Sequence, residues 1–165
     1  MMKSEKPSVG IIMGSDSDLR VMQAAADTLE EFGVPYELRI ISAHRTPDIM
    51  SAYATESKSK GLNIIIAGAG GSAHLPGMTA SHTVLPVIAV PVKSDNHDHE
   101  ALWSNIKMPT GIPLATMPEN GAKNAALLAI EILALHDDSL LERYEKFKEK
   151  QSADVIAKDK KIRSE

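Results

Sequence analysis

The chain has 165 residues, a formal net charge of -4 and no cysteine. This length fits a single domain over 1–165 with a sizeable hydrophobic core. The lack of cysteine excludes disulfides, thiolate metal ligands and thiol nucleophiles, and the acidic balance offers no basic surface for nucleic acid. No apolar stretch approaches the roughly 20 residues of a membrane span. We therefore expect a cytoplasmic protein without a nucleic-acid or membrane partner.

Strand-like apolar runs alternate with helical patterns over the predicted core, 8–136. Strands are predicted at 9–13, 36–41, 63–67, 86–92 and 112–115, and helices at 19–32, 48–60, 75–81, 100–106 and 122–136. This alternation predicts a parallel sheet with helices on both faces. Uninterrupted apolar runs such as Ile64-Ile65-Ile66 are typical of strands buried on both sides. The expected fold is an α/β, three-layer α/β/α flavodoxin-like sandwich with a five-stranded parallel sheet.

An extra C-terminal helix is predicted at 138–156. Leu140, Tyr144 and Phe147 recur there at i, i+4 and i+7 among charged residues, which gives the helix one narrow apolar stripe. The stripe can dock on its own domain or on another subunit. The last residues, 157–165, are expected to form a flexible, solvated tail.

The turn after the first strand reads Gly14-Ser15-Asp16-Ser17-Asp18 and leads into a helix. Backbone N–H groups at a helix start and serine hydroxyls favour an anion such as phosphate, while Asp18 suits the hydroxyls of a ribose. Alternatively, Ser15 or Ser17 only caps the helix and Asp18 only complements its dipole. An Asp-x-Asp metal site is a third interpretation, but no further ligand is tied to it by spacing.

The turn after the second strand, Ser42-Ala43-His44-Arg45-Thr46-Pro47, sets an imidazole beside a guanidinium. Pro47 suits the first position of a helix, so His44 and Arg45 lie at the carboxyl end of a strand, where parallel α/β sheets bind ligands. His44 could transfer protons to a phosphorylated substrate held by Arg45. The alternative for His44 is a structural histidine at a helix N-terminus.

The turn after the third strand, Gly68-Ala69-Gly70-Gly71-Ser72-Ala73-His74, formally satisfies G-x-G-x-x-A. That pattern suggests a dinucleotide site, but the fingerprint belongs on the first strand–helix turn and no acidic residue ends the next strand. The glycines allow close backbone approach to a flat ligand, a small carboxylate or carbon dioxide. His74 is either a ligand contact or a structural histidine.

Three other histidine-containing places remain. His97-Asp98-His99-Glu100 resembles a metal cluster in composition, but a solvated loop and helix start is favoured because adjacent loop residues point in different directions. His82 and His136 show no partner pattern, and we interpret both as structural.

The motifs of the three turns, taken together, are those of a known family. Ser15, Ser17 and Asp18 of the first turn, Ser42 to Pro47 of the second and Ala67 to Met78 of the third lie in matching order. The chain resembles the 5-(carboxyamino)imidazole ribonucleotide mutases of purine biosynthesis, the PurE family. The Gly70-Gly71 loop resembles the mutase branch rather than the branch that carboxylates aminoimidazole ribonucleotide with carbon dioxide directly.

The resemblance implies a homo-octamer with active sites at subunit interfaces, without metal or organic cofactor. It implies an isomerase of de novo IMP biosynthesis that moves a carboxylate from the exocyclic nitrogen to carbon 4 of the substrate, by decarboxylation and recarboxylation. His44 would be the proton shuttle. The implied ribonucleotide-binding residues are Ser15, Asp18 and Arg45, with Ser17 and Ser42 close to the phosphate, and with Gly70, Gly71 and His74 over the base and carboxylate.

The chain departs from the mutase pattern in two segments, 93–100 and 117–123. Lys93 stands where mutases typically carry glutamine. Two alternative functions stay open: the carboxylase reaction, and a non-catalytic flavodoxin-like nucleotide-binding module. A receiver-like module would need an aspartate at the end of the third strand, where Ala67 and Gly68 stand.

Overall fold

The computed structural model describes residues 6–93 and 99–163, and its centre is a parallel sheet. The strands are β1 (Val9–Met13), β2 (Tyr36–Ile40), β3 (Ile64–Gly70), β4 (Val87–Val92) and β5 (Ala115–Thr116). Their spatial order is β2-β1-β3-β4-β5, and every neighbouring pair is parallel. This is the flavodoxin-like strand order. The predicted fold is confirmed, and the structure supplies the strand order, which the sequence pattern left open.

Helices cover both faces of the sheet. They are α1 (Leu19–Glu31), α2 (Pro47–Glu56), α3 (His74–His82), α4 (Glu100–Ile106), α5 (Ala122–Ala134) and α6 (Asp138–Arg163), and a 3₁₀ turn at Asp16–Asp18 precedes α1. The helices α1 and α5 pack against each other on one face, and α2, α3 and α4 lie on the other. The layers are those expected from the alternating pattern.

The two faces of the sheet bury separate apolar cores because successive side chains of a strand point to opposite sides. Ile11, Ile64 and Ile66 face α1 and α5, whereas Ile12 and Ile65 face the opposite helices, and all five side chains are almost fully buried. The central strands are therefore held between two apolar layers. Their carboxyl ends, and the turns that follow them, have a rigid support.

Several predicted boundaries were wrong. The third strand continues to Gly70 rather than ending at Ala67, because its glycine-containing end still pairs with β4. The fifth strand was predicted at 112–115 and lies at Ala115–Thr116. Gly111 has a left-handed φ of 99° and the N–H of Ile112 donates to the carbonyl of Pro109, so this part is a turn. The second helix ends at Glu56, before the predicted 60.

Gly68 allows α1 to lie close to β3. A Cβ atom at this position would lie 2.2 Å from Sδ of Met22, a fully buried side chain of α1. Any larger residue at 68 would push against that thioether. The glycine therefore belongs to a strand and serves helix–strand packing, instead of forming the phosphate loop of a dinucleotide fingerprint.

The C-terminal helix α6 docks on its own domain through the predicted stripe. Leu140 is buried, the rings of Phe147 and Phe32 meet edge to face at 5.5 Å, and Tyr144 donates a hydrogen bond of 2.5 Å to Glu131 of α5. The helix continues to Arg163, past the predicted end at 156, so the predicted tail is helical over 157–163.

This extension of α6 has a local explanation in the sequence. The segment contains neither glycine nor proline, and ion pairs between residues four apart, such as Lys150 with Asp154 and Asp159 with Arg163, support it.

Among the helices of the described residues, none combines the length and apolar character needed to cross a membrane.

Candidate active site

A cavity of about 760 Å³ lies at the carboxyl edge of the sheet, as expected for this fold. Its walls are the turns after β1, β2 and β3 and the end of β4. Every site residue predicted from the sequence lines it: His44, Ser15, Ser17, Asp18, Ser42, Arg45, Gly70, Gly71 and His74. The structure thus brings residues from three separate turns together, while their roles remain predictions.

The turn after β1 is held in shape by its own side chains. Ser15 caps the 3₁₀ turn through its hydroxyl, which accepts the N–H of Ser17, and Asp18 accepts the N–H of Ser15 at 3.1 Å. Asp16 accepts the hydroxyl of Ser15 at 2.9 Å and the N–H of Ser17 at 3.1 Å. The capping interpretation is therefore correct for Ser15, and the same residue also faces the cavity.

Asp18 is a buried carboxyl group at the base of the cavity. Burial raises its pKa above the ordinary value, against the opposing effect of hydrogen bonds from the backbone of Ser15 and Gly14 and of the positive charges of Arg20 and Arg45. The side chain is only 7% exposed. A buried acceptor beside an open cavity can bind ligand hydroxyls, since such bonds replace the water that burial has removed.

Arg45 connects the turns after β1 and β2. Its Nη2 donates to the carbonyl of Gly14 at 2.8 Å, and its backbone N–H donates to the hydroxyl of Ser42 at 3.1 Å. The turn is closed by Thr46, whose hydroxyl accepts the N–H of Ser42 and whose N–H donates to the carbonyl of Ser42. Its Nε also donates to the hydroxyl of Ser42 at 3.4 Å. The guanidinium is therefore positioned before a ligand arrives, with donors of its terminal nitrogens left to bind an anion.

His44 and His74 meet inside the cavity. Nε2 of His44 lies 2.8 Å from Nδ1 of His74, and the two rings are nearly perpendicular, at 86°. One ring nitrogen must carry the hydrogen while the other accepts it. His74 thus lines the cavity and contacts His44, and its role as a ligand contact stays a prediction.

The turn between β3 and α3 is tight. Gly71 and Ala73 both adopt left-handed backbone angles, with φ of 59° and 44°, and Ala73 directly precedes His74, the first residue of α3. Ser72 donates to a carboxylate oxygen of Glu100 at 3.3 Å.

No carboxylate ends β3, whose last residues are Ala69 and Gly70, so a receiver-like module lacks its phosphoacceptor.

Sequence reasoning missed two cations of the cavity, Arg20 and Lys93. Arg20 lies in the first turn of α1, and Lys93 directly follows β4; Nη2 of Arg20 donates to the carbonyl oxygen of Lys93 at 3.4 Å. Their positions at the carboxyl edge were a usable signal, because Lys93 follows a strand just as Ser42 does. Lys93 was noted only as a departure from the mutase pattern, no motif pointed to Arg20, and the strand order that brings them together was not known.

The other candidate ligands do not form a second site among the described residues. His97 and Asp98 lie outside the described part of the chain, and His99 pairs with Glu119 at 2.9 Å. His82 contacts the carbonyl of Met78 and the hydroxyl of Ser81, which fits its predicted structural role. Within residues 6–93 and 99–163, no group of three or more histidine and carboxylate side chains is placed to hold a metal ion.

Comparison with known proteins identifies close relatives. The chain is 54% identical to the N5-carboxyaminoimidazole ribonucleotide mutase of Pyrococcus horikoshii, over 98% of this chain and 92% of that protein. It is also 54% identical to the phosphoribosylaminoimidazole carboxylase of Saccharomyces cerevisiae, over 95% of this chain but only 28% of that longer protein. Identity alone therefore does not distinguish the two reactions.

A solved structure supports the same relationship. Treponema denticola PurE superposes with a TM-score of 0.86 at 33% identity, over 94% of this chain and 98% of that one. The family model described as AIR carboxylase matches residues 8–154, which include all three turns of the cavity. The chain therefore belongs to the AIR carboxylase family.

Proposed function

We propose that this protein is an N5-carboxyaminoimidazole ribonucleotide mutase, an isomerase of purine biosynthesis. The observation that carries the proposal is the contact between His44 and His74 in a cavity that also holds a fixed guanidinium and a buried carboxyl group. Relatives with this name match along nearly their whole length, in Pyrococcus horikoshii and in Thermotoga maritima. The substrate would be a small ribonucleotide.

The turns after β1 and β2 would hold the phosphate and ribose. Arg45 offers a positioned cation, and the hydroxyls of Ser15, Ser17 and Ser42 lie around the same part of the cavity. Charge-assisted hydrogen bonds from guanidinium groups are well suited to phosphate. Asp18 would accept the ribose hydroxyls, which are neutral and are not repelled by a carboxylate.

The turn after β3 would hold the base and the migrating carboxylate. Gly70 and Gly71 present backbone without side-chain obstruction beside the histidine pair. Protonation of the exocyclic nitrogen breaks its bond to the carboxyl carbon and releases carbon dioxide. The ring carbon 4 then forms a bond to that carbon dioxide and loses a proton.

His44 would deliver the first proton and accept the second, so the cycle consumes no proton and needs no oxidant or reductant. His74 would hold the ring of His44 by its hydrogen bond. Carbon dioxide would be retained beside the ends of β3 and β4, where the cavity-lining residues Ala69 and Val92 are buried. Neither step requires a metal or an organic cofactor in this scheme.

The second candidate is the carboxylation of aminoimidazole ribonucleotide with carbon dioxide. The identity to the yeast carboxylase favours it. The same proton removal from carbon 4 would serve this reaction, because only the source of carbon dioxide differs. The mutase is preferred because the mutase relatives correspond to this chain over 92% of their length and the yeast enzyme over 28%.

A rate comparison tests the proposal. Purified protein is given either N5-carboxyaminoimidazole ribonucleotide alone or aminoimidazole ribonucleotide with bicarbonate, both without ATP or metal, and formation of the 4-carboxylated product is followed. Faster conversion of the first substrate supports the mutase. Preference for the second pair would favour the carboxylase, and no product from either would reject both reactions.

We further propose one domain over 1–165 that acts in the cytoplasm as a homo-oligomer, an octamer by its resemblance to the mutases. Exposed apolar side chains support an assembly: Val84, Trp103 and Ile106 are each more than half exposed. Such residues together are costly to leave in water. The mass of the purified protein in solution tests this assignment.

A further inference from the structure

The cavity carries positive charge on two walls. Among the described residues that line it, the ionisable groups other than the two histidines are three cations, Arg20, Arg45 and Lys93, and one carboxyl group, Asp18. This excess of positive charge stands in a protein whose net charge is -4. Such a local field attracts ligands with more than one negative charge.

The two cationic walls lie on opposite sides of β3. The guanidinium of Arg45 is bonded to Gly14, which directly follows β1, whereas Lys93 follows β4. In the order β2-β1-β3-β4, two strand spacings separate the ends of β1 and β4, or about 10 Å at the usual distance between strands. The turn with Gly70 and His74 lies between the two walls.

We propose that Arg20 and Lys93 form a second anion subsite, which binds the carboxylate of the substrate or product while Arg45 binds the phosphate. This inference rests on the proposed function. The carboxylate is assigned to Arg20 and Lys93, beside the turn after β3, because Lys93 follows β4 on one side of β3, whereas Gly14 holds Arg45 at the end of β1 on the other side.

The contact between the two residues engages a backbone carbonyl, while the charge of Arg20 also acts on the carboxyl group of Asp18. Arg20 donates to the backbone carbonyl of Lys93 and not to a carboxylate, so this bond neutralises neither cation. Both residues are exposed to the cavity. Lys93 is fixed from the other side, where its N–H donates to the amide oxygen of Asn120 at 2.9 Å. The ammonium group thus extends from an anchored backbone.

The test compares two ligands that differ only in the carboxylate: aminoimidazole ribonucleotide and its 4-carboxylated derivative. Calorimetric binding of each is measured for the wild type, Arg20→Ala, Lys93→Gln and the control Lys107→Gln, which changes a surface lysine outside the cavity. Lys93→Gln retains the backbone carbonyl that accepts from Arg20. Arg20→Lys retains a positive charge and is expected to restore part of the affinity.

We expect Arg20→Ala and Lys93→Gln each to weaken the binding of the carboxylated ligand about 5- to 10-fold. The affinity for aminoimidazole ribonucleotide should change little. Equal weakening of both ligands would mean a phosphate-binding or structural role and would overturn the proposal, as would no change for either. If the wild type converts N5-carboxyaminoimidazole ribonucleotide but the variants keep normal carboxylate affinity, only this inference fails. If the wild type neither binds nor converts these compounds, the proposed function fails as well.

Discussion

Nε2 of His44 and Nδ1 of His74 lie 2.8 Å apart at the centre of a cavity formed by three separate turns. The contact requires one hydrogen between the two nitrogens. The two rings therefore cannot both be protonated on both of their nitrogens while the contact exists. His44 can therefore exchange a proton with a ligand through a ring whose orientation is set by a neighbour. This arrangement is compatible with the proposed transfer of a proton to and from the substrate.

His44→Asn is expected to retain ribonucleotide binding and to lose about 10²- to 10⁴-fold in turnover, the usual contribution of a positioned acid–base group. Steady-state kinetics and calorimetric binding of the product measure the two effects separately. His136→Asn, which changes a histidine outside the cavity, is the matched control. Near-normal turnover of His44→Asn would contradict the assigned role.

Substitution of His74 should act on turnover through His44. His74→Ala is expected to lower kcat about 5- to 10-fold with a smaller change in KM, since it removes one neutral hydrogen bond that orients the catalytic ring. His74→Gln can still offer a donor and an acceptor and should retain more activity. If both variants changed KM alone, His74 would be a ligand contact without influence on His44.

Asp18→Asn should increase the stability of the protein at neutral pH and weaken the binding of the ribonucleotide. Burial raises the pKa of the folded carboxyl group, so its stabilising contribution is complete below the unfolded pKa and is lost as pH rises through the folded one. The asparagine variant has no such loss. The free energy of unfolding of Asp18→Asn should therefore exceed that of the wild type by an amount that grows as pH rises from the unfolded to the folded pKa of Asp18. The difference should reach up to about 1 kcal/mol at neutral pH.

Urea unfolding of the wild type and Asp18→Asn between pH 3 and 7 measures this difference, where the pH limits bracket ordinary carboxyl values of about 4. Binding of the ribonucleotide should weaken in the same variant, because the amide is a poorer acceptor than the carboxylate for ribose hydroxyls. A variant that is less stable than the wild type at neutral pH would show that the hydrogen bonds to Asp18 outweigh the cost of its burial.

Phe147→Ala should destabilise the protein by about 1 to 3 kcal/mol, because it removes an aromatic ring from its contact with Phe32. Val155→Ala, at a position of the same helix that is 65% exposed, should change the free energy of unfolding by less than about 0.5 kcal/mol. Chemical denaturation measures both. Equal effects of the two substitutions would mean that α6 does not depend on its stripe for docking.

The sequence was sufficient for the layers of the fold and for most of the cavity. Strand–helix alternation determines which loops lie at the carboxyl edge, so His44, Arg45 and Asp18 could be placed there before their neighbours were known. Strand order is a long-range property that local patterns do not encode, and for this reason the approach of Arg20 to Lys93 could not be foreseen.

Two further details depended on close packing rather than on pattern. The glycines of the third turn looked like a loop, but Gly68 pairs with β1 and β4 as part of β3, and Met22 of α1 leaves no room there for a side chain. Ala73, directly before His74, adopts a left-handed conformation that is unusual for its residue type. Neither could be inferred from residue types alone.

The most direct test of the central claim follows the carboxyl carbon itself. N5-carboxyaminoimidazole ribonucleotide labelled with ¹³C in its carboxylate is converted in the presence of excess unlabelled bicarbonate, and the label in the 4-carboxylated product is measured by mass spectrometry. If the cavity transfers the carboxylate while retaining carbon dioxide, most of the product carries the label. If the product is mostly unlabelled, carbon dioxide has exchanged with solvent, and the enzyme acts as a carboxylase instead.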